Sequence, residues 1–402
     1  MKFFKSILLA GMAASMSFAA SAADTITLGS AISLTGKYST NGIHSQNGYD
    51  LAVTKINEAG GVNVGGKNYM LEVKYYDDES SGSRGAQLAE RLIQQDGVDF
   101  MLGPYSSGLT KAIAPITEKY GVPMVEAEGA SRSLFNKGYK YLFAVLTTAD
   151  LYLASAIDVA AETAKAEGIP LSDVKVALAF EPDPFSLDVR EGVVDAIKRH
   201  GMNIVIDDKL PADLADMTST LTKVRALKPH VLIVSGHSKG AVTATRQMAE
   251  MGISVPLVGM THCEAGKLVT KFGDAANGFM CATQWDETLT YSDELFGSAG
   301  DFDKEFKASF EGYNVVPYQS AQAAAAVQVW ADAFERAGSL DKDAVRDALA
   351  ATDMKSFYGD IRFSDAGNNI AKPMVMRQIK DGKFVVVAPA KWAAEAADVS
   401  FK

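Results

Sequence analysis

The chain is poor in the residues that build metal centres and disulfide scaffolds. Its 402 residues include two cysteines and five histidines, and no pair of them has the spacing of a zinc or iron–sulfur site. Two cysteines are also too few to staple a chain of this length. Blocks of like charge are missing as well: 39 basic and 49 acidic residues are spread to a formal net charge of −10. Nucleic acid and anionic membrane surfaces are therefore poor partners. Beyond the N-terminal segment no run reaches the roughly eighteen consecutive apolar residues of a membrane-crossing helix. What is present is a globular composition, 48% apolar and 22% charged, with length for two or three cores.

The N-terminus is the one biased segment. Lys2 and Lys5 precede the apolar run 7–20, and Ser21-Ala22-Ala23 has the small-residue pattern of a cleavage site. This reads as a secretory signal peptide, 1–23, removed before Asp24. It contains two basic residues and no acidic one, so cleavage leaves a still more acidic chain. With no cysteine beside the cleavage point, no lipid anchor is expected. The expectation is a soluble periplasmic protein.

From residue 25 onward, short apolar strands alternate with amphipathic helices. Strands are read at 25–32, 71–76, 98–103 and 122–125, with helices at 45–59, 85–94 and 109–119. The alternation then restarts, with helices at 150–166, 185–199, 217–226 and 241–251 and strands at 174–180, 203–206, 231–235, 256–260 and 278–283. Such alternation with short loops is the pattern of parallel, doubly wound sheets. Residues 301–351 read as helical and the tail as β-rich, with Asp381-Gly382 placed for a type I′ hairpin turn. Neither stretch makes a domain alone. The expected fold is α/β, with two doubly wound parallel-sheet lobes joined by a multi-strand hinge. The first lobe would comprise 24–147 plus 284–355, and the second 148–283 plus 356–402. Ligands of open α/β sheets bind at the carboxyl ends of the strands, here in a cleft between the lobes.

Four constellations carry chemistry. Gly236-His237-Ser238-Lys239-Gly240, between a strand and a helix, fits the G-x-S-x-G elbow of a hydrolase with Ser238 as nucleophile. The triad then needs an acid and a histidine downstream, and only Glu250, inside a helix, and His262 are available. The same glycines serve equally to relax a tight turn. Gly103-Pro104-Tyr105-Ser106-Ser107-Gly108 opens a helix, where free backbone N–H groups and serine hydroxyls suit either a substrate carboxylate or a plain N-cap. Glu126-Ala127-Glu128-Gly129-Ala130-Ser131 follows a strand, and its carboxylates either receive an ammonium or are solvated loop residues. Cys263 and Cys281 are either bridged or two buried thiols. Metal ligation is unsupported.

In this order, several segments resemble the periplasmic binding proteins of branched-chain-amino-acid-type (leucine/isoleucine/valine-binding-like) ABC transporters. They are Ile32-Ser33-Leu34-Thr35-Gly36 with Asn41-Gly42, 56–62, Tyr76-Asp77-Asp78, 103–107, Tyr120-Gly121-Val122-Pro123 and Gly129-Ala130-Ser131. The resemblance spans essentially the whole mature chain. It implies the type I periplasmic binding fold, no catalysis and no cofactor. It also implies a monomer that hands a small ligand, an amino acid or related carboxylate, to permease subunits in the inner membrane. Ser107, with Ser106 beside it, falls where the family binds a carboxylate, and Gly129, Ala130 and Ser131 where it binds carboxylate and ammonium. Phe185 and His237 fall where aromatic residues close over the ligand; Tyr105, Asn41 and Glu128 complete the candidate set. The family's acidic partner for the ammonium falls on Thr261, a departure that leaves Glu126, Glu128 or Glu264 to meet an ammonium, or a ligand without one. A binder of non-amino-acid carboxylates or amides is the alternative, and an esterase using Ser238 the rival of another class.

Overall fold

The computed structural model describes residues 24–264 and 267–402; the expected signal peptide lies outside them. Six strands form the first sheet: β1 Thr25–Ile32, β2 Val62–Val64, β3 Lys67–Asp77, β4 Phe100–Leu102, β5 Met124–Glu126 and β6 Leu142–Ala144. Their order is β2-β3-β1-β4-β5-β6, parallel except for the β2–β3 hairpin. Strands β4 and β5 are buried along their length, which is why they read as unbroken apolar runs rather than alternating ones. Helices α1 Ser39–Glu58, α2 Gly82–Gln94 and α3 Ser107–Lys119 cross between them.

The second sheet begins with β7 Lys175–Phe180, β8 Asn203–Lys209, β9 Val231–Ser235, β10 Leu257–Thr261 and β11 Met280–Thr283. These are parallel in the order β11-β10-β9-β7-β8. The edge beside β11 is finished by a hairpin from the end of the chain, Val375–Lys380 and Lys383–Ala388, which pairs antiparallel. Asp381 and Gly382 both have positive φ at its turn, as a type I′ turn requires. Conversely, the helix Tyr318–Ala337 returns to the first lobe and lies along α1, with Ala321 and Ala323–Ala326 wholly buried. Contact there is so close that a Cβ on Gly48 would come 2.1 Å from the Ser320 carbonyl oxygen. Cys263 and Cys281 are joined by a disulfide inside the second lobe.

Residues 356–370 depart from the expected division. Gly359–Arg362 pairs not with the second sheet but with Asp353–Ser356 in a two-stranded ribbon. Phe357 stacks on Phe302 of the helix Ala299–Ser309, 4.1 Å between ring centroids. Asn368 bridges to Ala144 at the end of β6, and Asn369 Nδ2 donates to the Val145 carbonyl. These contacts attach the segment to the first lobe, because its aromatic residue finds its apolar surface there. The three chain crossings meet at one node. Thr147 N–H donates to Gln284 Oε1 (3.2 Å), Gln284 Nε2 donates to the Thr147 carbonyl (2.9 Å), and Thr147 Oγ1 donates to the Lys372 carbonyl (2.7 Å). The Lys372 ammonium in turn reaches the Gln284 carbonyl.

Candidate functional site

The carboxyl ends of both sheets face a common cleft, and the turns that follow the strands deliver the polar groups. After β4, Ser106 takes a left-handed conformation, φ +91°, and its Oγ accepts the Leu109 N–H, opening α3. After β7, Asp183 caps the helix Pro184–His200 by accepting the Phe185 and Ser186 N–H groups. After β9 and β10, His237 (φ +50°) and His262 (φ +61°) are likewise left-handed. Non-glycine residues adopt this region at a cost, and such strain gathers where a side chain must be aimed.

Those turns converge on the Tyr105 hydroxyl. It meets Asn41 Nδ2 from the first lobe, and His237 Nδ1 (2.9 Å) and His262 Nε2 (3.0 Å) from the second. Around it lie Tyr38, Phe185, Tyr152 and Tyr318: Tyr38 sits edge-on to Tyr105 and His237, and Phe185 touches His237, His262 and Tyr152. His262 also lies against Tyr318. The group is almost wholly buried. At the cleft mouth a cavity of about 330 Å³ is lined by Lys37, Tyr38, Asn41, His237, Ser238 and Lys239 among others.

Charge is arranged on either side of the His237 ring. Its Nε2 faces Asp183 (3.4 Å) and Glu181 (3.8 Å), while Lys37 crosses from the first lobe to Glu181 (3.0 Å). Burial alone would lower the His237 pKa, yet the two carboxylates hold it above the ordinary value. His262 is pushed well below, by burial and then by the His237 charge. The carboxylates thus favour the charged form of His237, and burial the neutral form of His262.

The structure separates the remaining candidates. Ser107 is fully buried at the first turn of α3, its Oγ accepting the Ser131 N–H (3.0 Å). Ser131 Oγ caps the short helix Arg132–Phe135 by accepting the Ser133 N–H, and the Gly129 N–H is held by Glu126. Ala130 is buried between them, its carbonyl accepting the Ala149 N–H. Glu126 is not at the cleft surface. Its carboxylate accepts the Glu128 and Gly129 N–H groups and the Thr110 hydroxyl, beneath Gly103, and burial raises its pKa to about 7. Glu128 accepts Ser45 Oγ (2.7 Å) and Gln322 Nε2 (2.8 Å), with a pKa raised strongly by burial. Glu264 is buried against Arg377 (2.7 Å).

Thr261 sits at the base of the cleft wall. It is the last residue of β10, wholly buried, its hydroxyl 3.5 Å from Ser235 Oγ, and the next residue, His262, enters the cleft. Sequence reasoning also missed Tyr38, Tyr152 and Tyr318 as cleft residues. Tyr318 had one signal, a proline immediately before a helix start. Ser238 donates to Asn41 Oδ1 (2.6 Å) across the cleft, and the strained residue of its elbow is His237 rather than Ser238. Among the described residues, the hydrogen bonds of His237 and His262 go to Tyr105, and that of His237 also to Asp183, not to Ser238.

Two parallel-sheet lobes, crossed by the chain three times and closing polar strand ends over one buried site, define a type I solute-binding fold. The family model for periplasmic binding proteins matches residues 25–383, and the chain belongs to that family. Among its relatives, a Leu/Ile/Val-binding protein homologue from Brucella suis is 25% identical over 389 residues, covering 93% of each chain. The fold is shared with a leucine-binding protein from Thermotoga maritima, TM-score 0.78 at 21% identity over 90% of this chain and 98% of that one. It is shared equally with a solute-binding protein of an ABC transporter from Rhodopseudomonas palustris solved with benzoate, TM-score 0.77 at 19% identity over 94% and 99%. Among the described residues no helix is long and apolar enough to cross a membrane.

Proposed function

We propose that the protein captures a small carboxylate, an amino acid or related acid, between its lobes and delivers it to the permease of an ABC transporter in the inner membrane. It acts as a periplasmic monomer, without catalysis or cofactor. The observation that carries this reading is the Tyr105 hydroxyl of one lobe, which lies within hydrogen-bond distance of two histidines of the other lobe. Such contacts exist only with the lobes together, so a ligand that adds to them favours closure, and the transporter reads the difference. The Ser107 hydroxyl and the amino end of α3 suit the carboxylate. Asn41, Tyr105 and His237 bound the site, and Phe185 covers the apolar part. Relatives named for leucine binding and one solved with benzoate support both the main reading and its alternative, a non-amino-acid carboxylate.

A thermal-shift panel of small metabolites tests this, because a tight ligand raises Tm by mass action. A carboxylate hit is expected, and Ser107→Ala should weaken it about tenfold, the worth of one hydrogen bond to a charged group. An unchanged affinity places the anion elsewhere. The esterase reading fares worse, since Ser238 has no histidine partner among the described residues; ester turnover abolished by Ser238→Ala would reinstate it.

A further inference from the structure

We infer that the ligand's second polar group is an oxygen acceptor, a keto, hydroxyl or carboxyl oxygen, read by the Nδ1–H of His262. This rests on the carboxylate reading above and narrows it to small acids without an α-ammonium group. Proton accounting at Tyr105 carries the inference. A phenolic oxygen has one proton to give and two lone pairs to offer. Asn41 Nδ2 donates into one lone pair, and His237, whose charged form the Asp183 and Glu181 carboxylates beside Nε2 favour, donates through Nδ1 into the other. Only the hydroxyl's own proton remains, and His262 Nε2 at 3.0 Å accepts it. The proton of a neutral His262 therefore sits on Nδ1, a buried nitrogen with no hydrogen-bond partner among the described residues. A buried donor left without a partner is costly, and an acceptor brought into the cleft relieves that cost.

An ammonium at the same place would meet an N–H. Each acid that might compensate it already has a hydrogen-bond or ion-pair partner. Glu126 is saturated by backbone and Thr110, Glu128 accepts from Ser45 and Gln322, and Glu264 is paired with Arg377. Glu181 and Asp183 face Lys37 and the far nitrogen of His237. The groups around His262 are otherwise rings, those of Phe185, His237 and Tyr318.

The test is calorimetric titration of the protein with two matched pairs, leucine against 4-methyl-2-oxopentanoate and phenylalanine against phenylpyruvate, plus benzoate. At least one oxo acid should bind tenfold or more tighter than its amino acid. His262→Glu should reverse that preference, and His262→Leu, which keeps the bulk, should cost the oxo acid about tenfold in affinity. Amino acids that bind as tightly as the oxo acids overturn the inference and leave the carboxylate reading standing. Binding of benzoate alone, which has no second acceptor, overturns it too, as does an unchanged oxo-acid affinity in His262→Leu. If none of the five acids binds, the carboxylate reading fails and takes this one with it.

Discussion

Closure can be weakened without touching the ligand site. Arg132, in the first lobe, sends its backbone N–H (2.8 Å) and its Nε (2.7 Å) to the two oxygens of Asp188 in the second, and its Nη2 to Glu191 (2.9 Å). Asp188 is largely buried where it meets Arg132, and burial raises its pKa against the pull of the guanidinium. Arg132→Ala removes the side-chain bonds and keeps the backbone one. A charge-assisted hydrogen bond contributes about 1.5–3 kcal/mol, but the Arg132 side chain is 38% exposed, so solvent screening reduces this to about 1 kcal/mol. That is roughly a fivefold shift from closed to open, and an equal rise in apparent Kd if the ligand-free protein is mostly open. Calorimetric titration at low salt measures the Kd, and small-angle scattering the lobe separation. The effect should shrink at high salt, and Asp188→Asn should account for most of it in a double-mutant cycle. A Kd unchanged within twofold at low salt would refute the reasoning, because Arg132 would then hold the lobes together in neither state.

Three further outcomes concern buried groups. Glu126 titrates near 7 in the fold against an ordinary 4.5, so folding takes up a proton and stability falls as pH rises between those values; Glu126→Gln should flatten that slope and raise Tm at pH 8. Lys372, wholly buried at the hinge node, is pushed down to about 7 from 10.5. Folding there releases a proton and stability rises with pH across that window, so Lys372→Met should raise Tm at pH 7 and abolish the slope. Replacing Cys263 and Cys281 together by alanine should cost about 3 kcal/mol by the loop-closure argument, read as a lower urea midpoint; an unchanged midpoint would mean the bridge adds no stability.

Much of the architecture was legible because buried parallel strands announce themselves. The run 25–32 is β1, and 231–235 is β9, without adjustment. Helix α1 was read from 45 but begins at Ser39, since its first turns bury Asn41, Gly42, His44 and Ser45 rather than an apolar stripe. Polar burial of that kind leaves no periodic signal. His262 was missed for a similar cause: a left-handed φ at the strand end aims its side chain, and no residue type in the sequence marks it. Phe185 and His237 were expected from the family resemblance, whereas Tyr152 and Tyr318 arrive from segments far apart in the chain and meet only once both lobes are built.

The interleaving of the lobes constrains how the chain can become a protein at all. The first lobe buries a helix that ends at Ala337, and the second sheet is closed by a strand that ends at Ala388. Neither half therefore owns a complete core until nearly the whole polypeptide is at hand. A chain threaded through a membrane pore from its amino end would keep both apolar faces open until the last turns emerged. It predicts that no truncation after the first or second βα block yields a stable fragment.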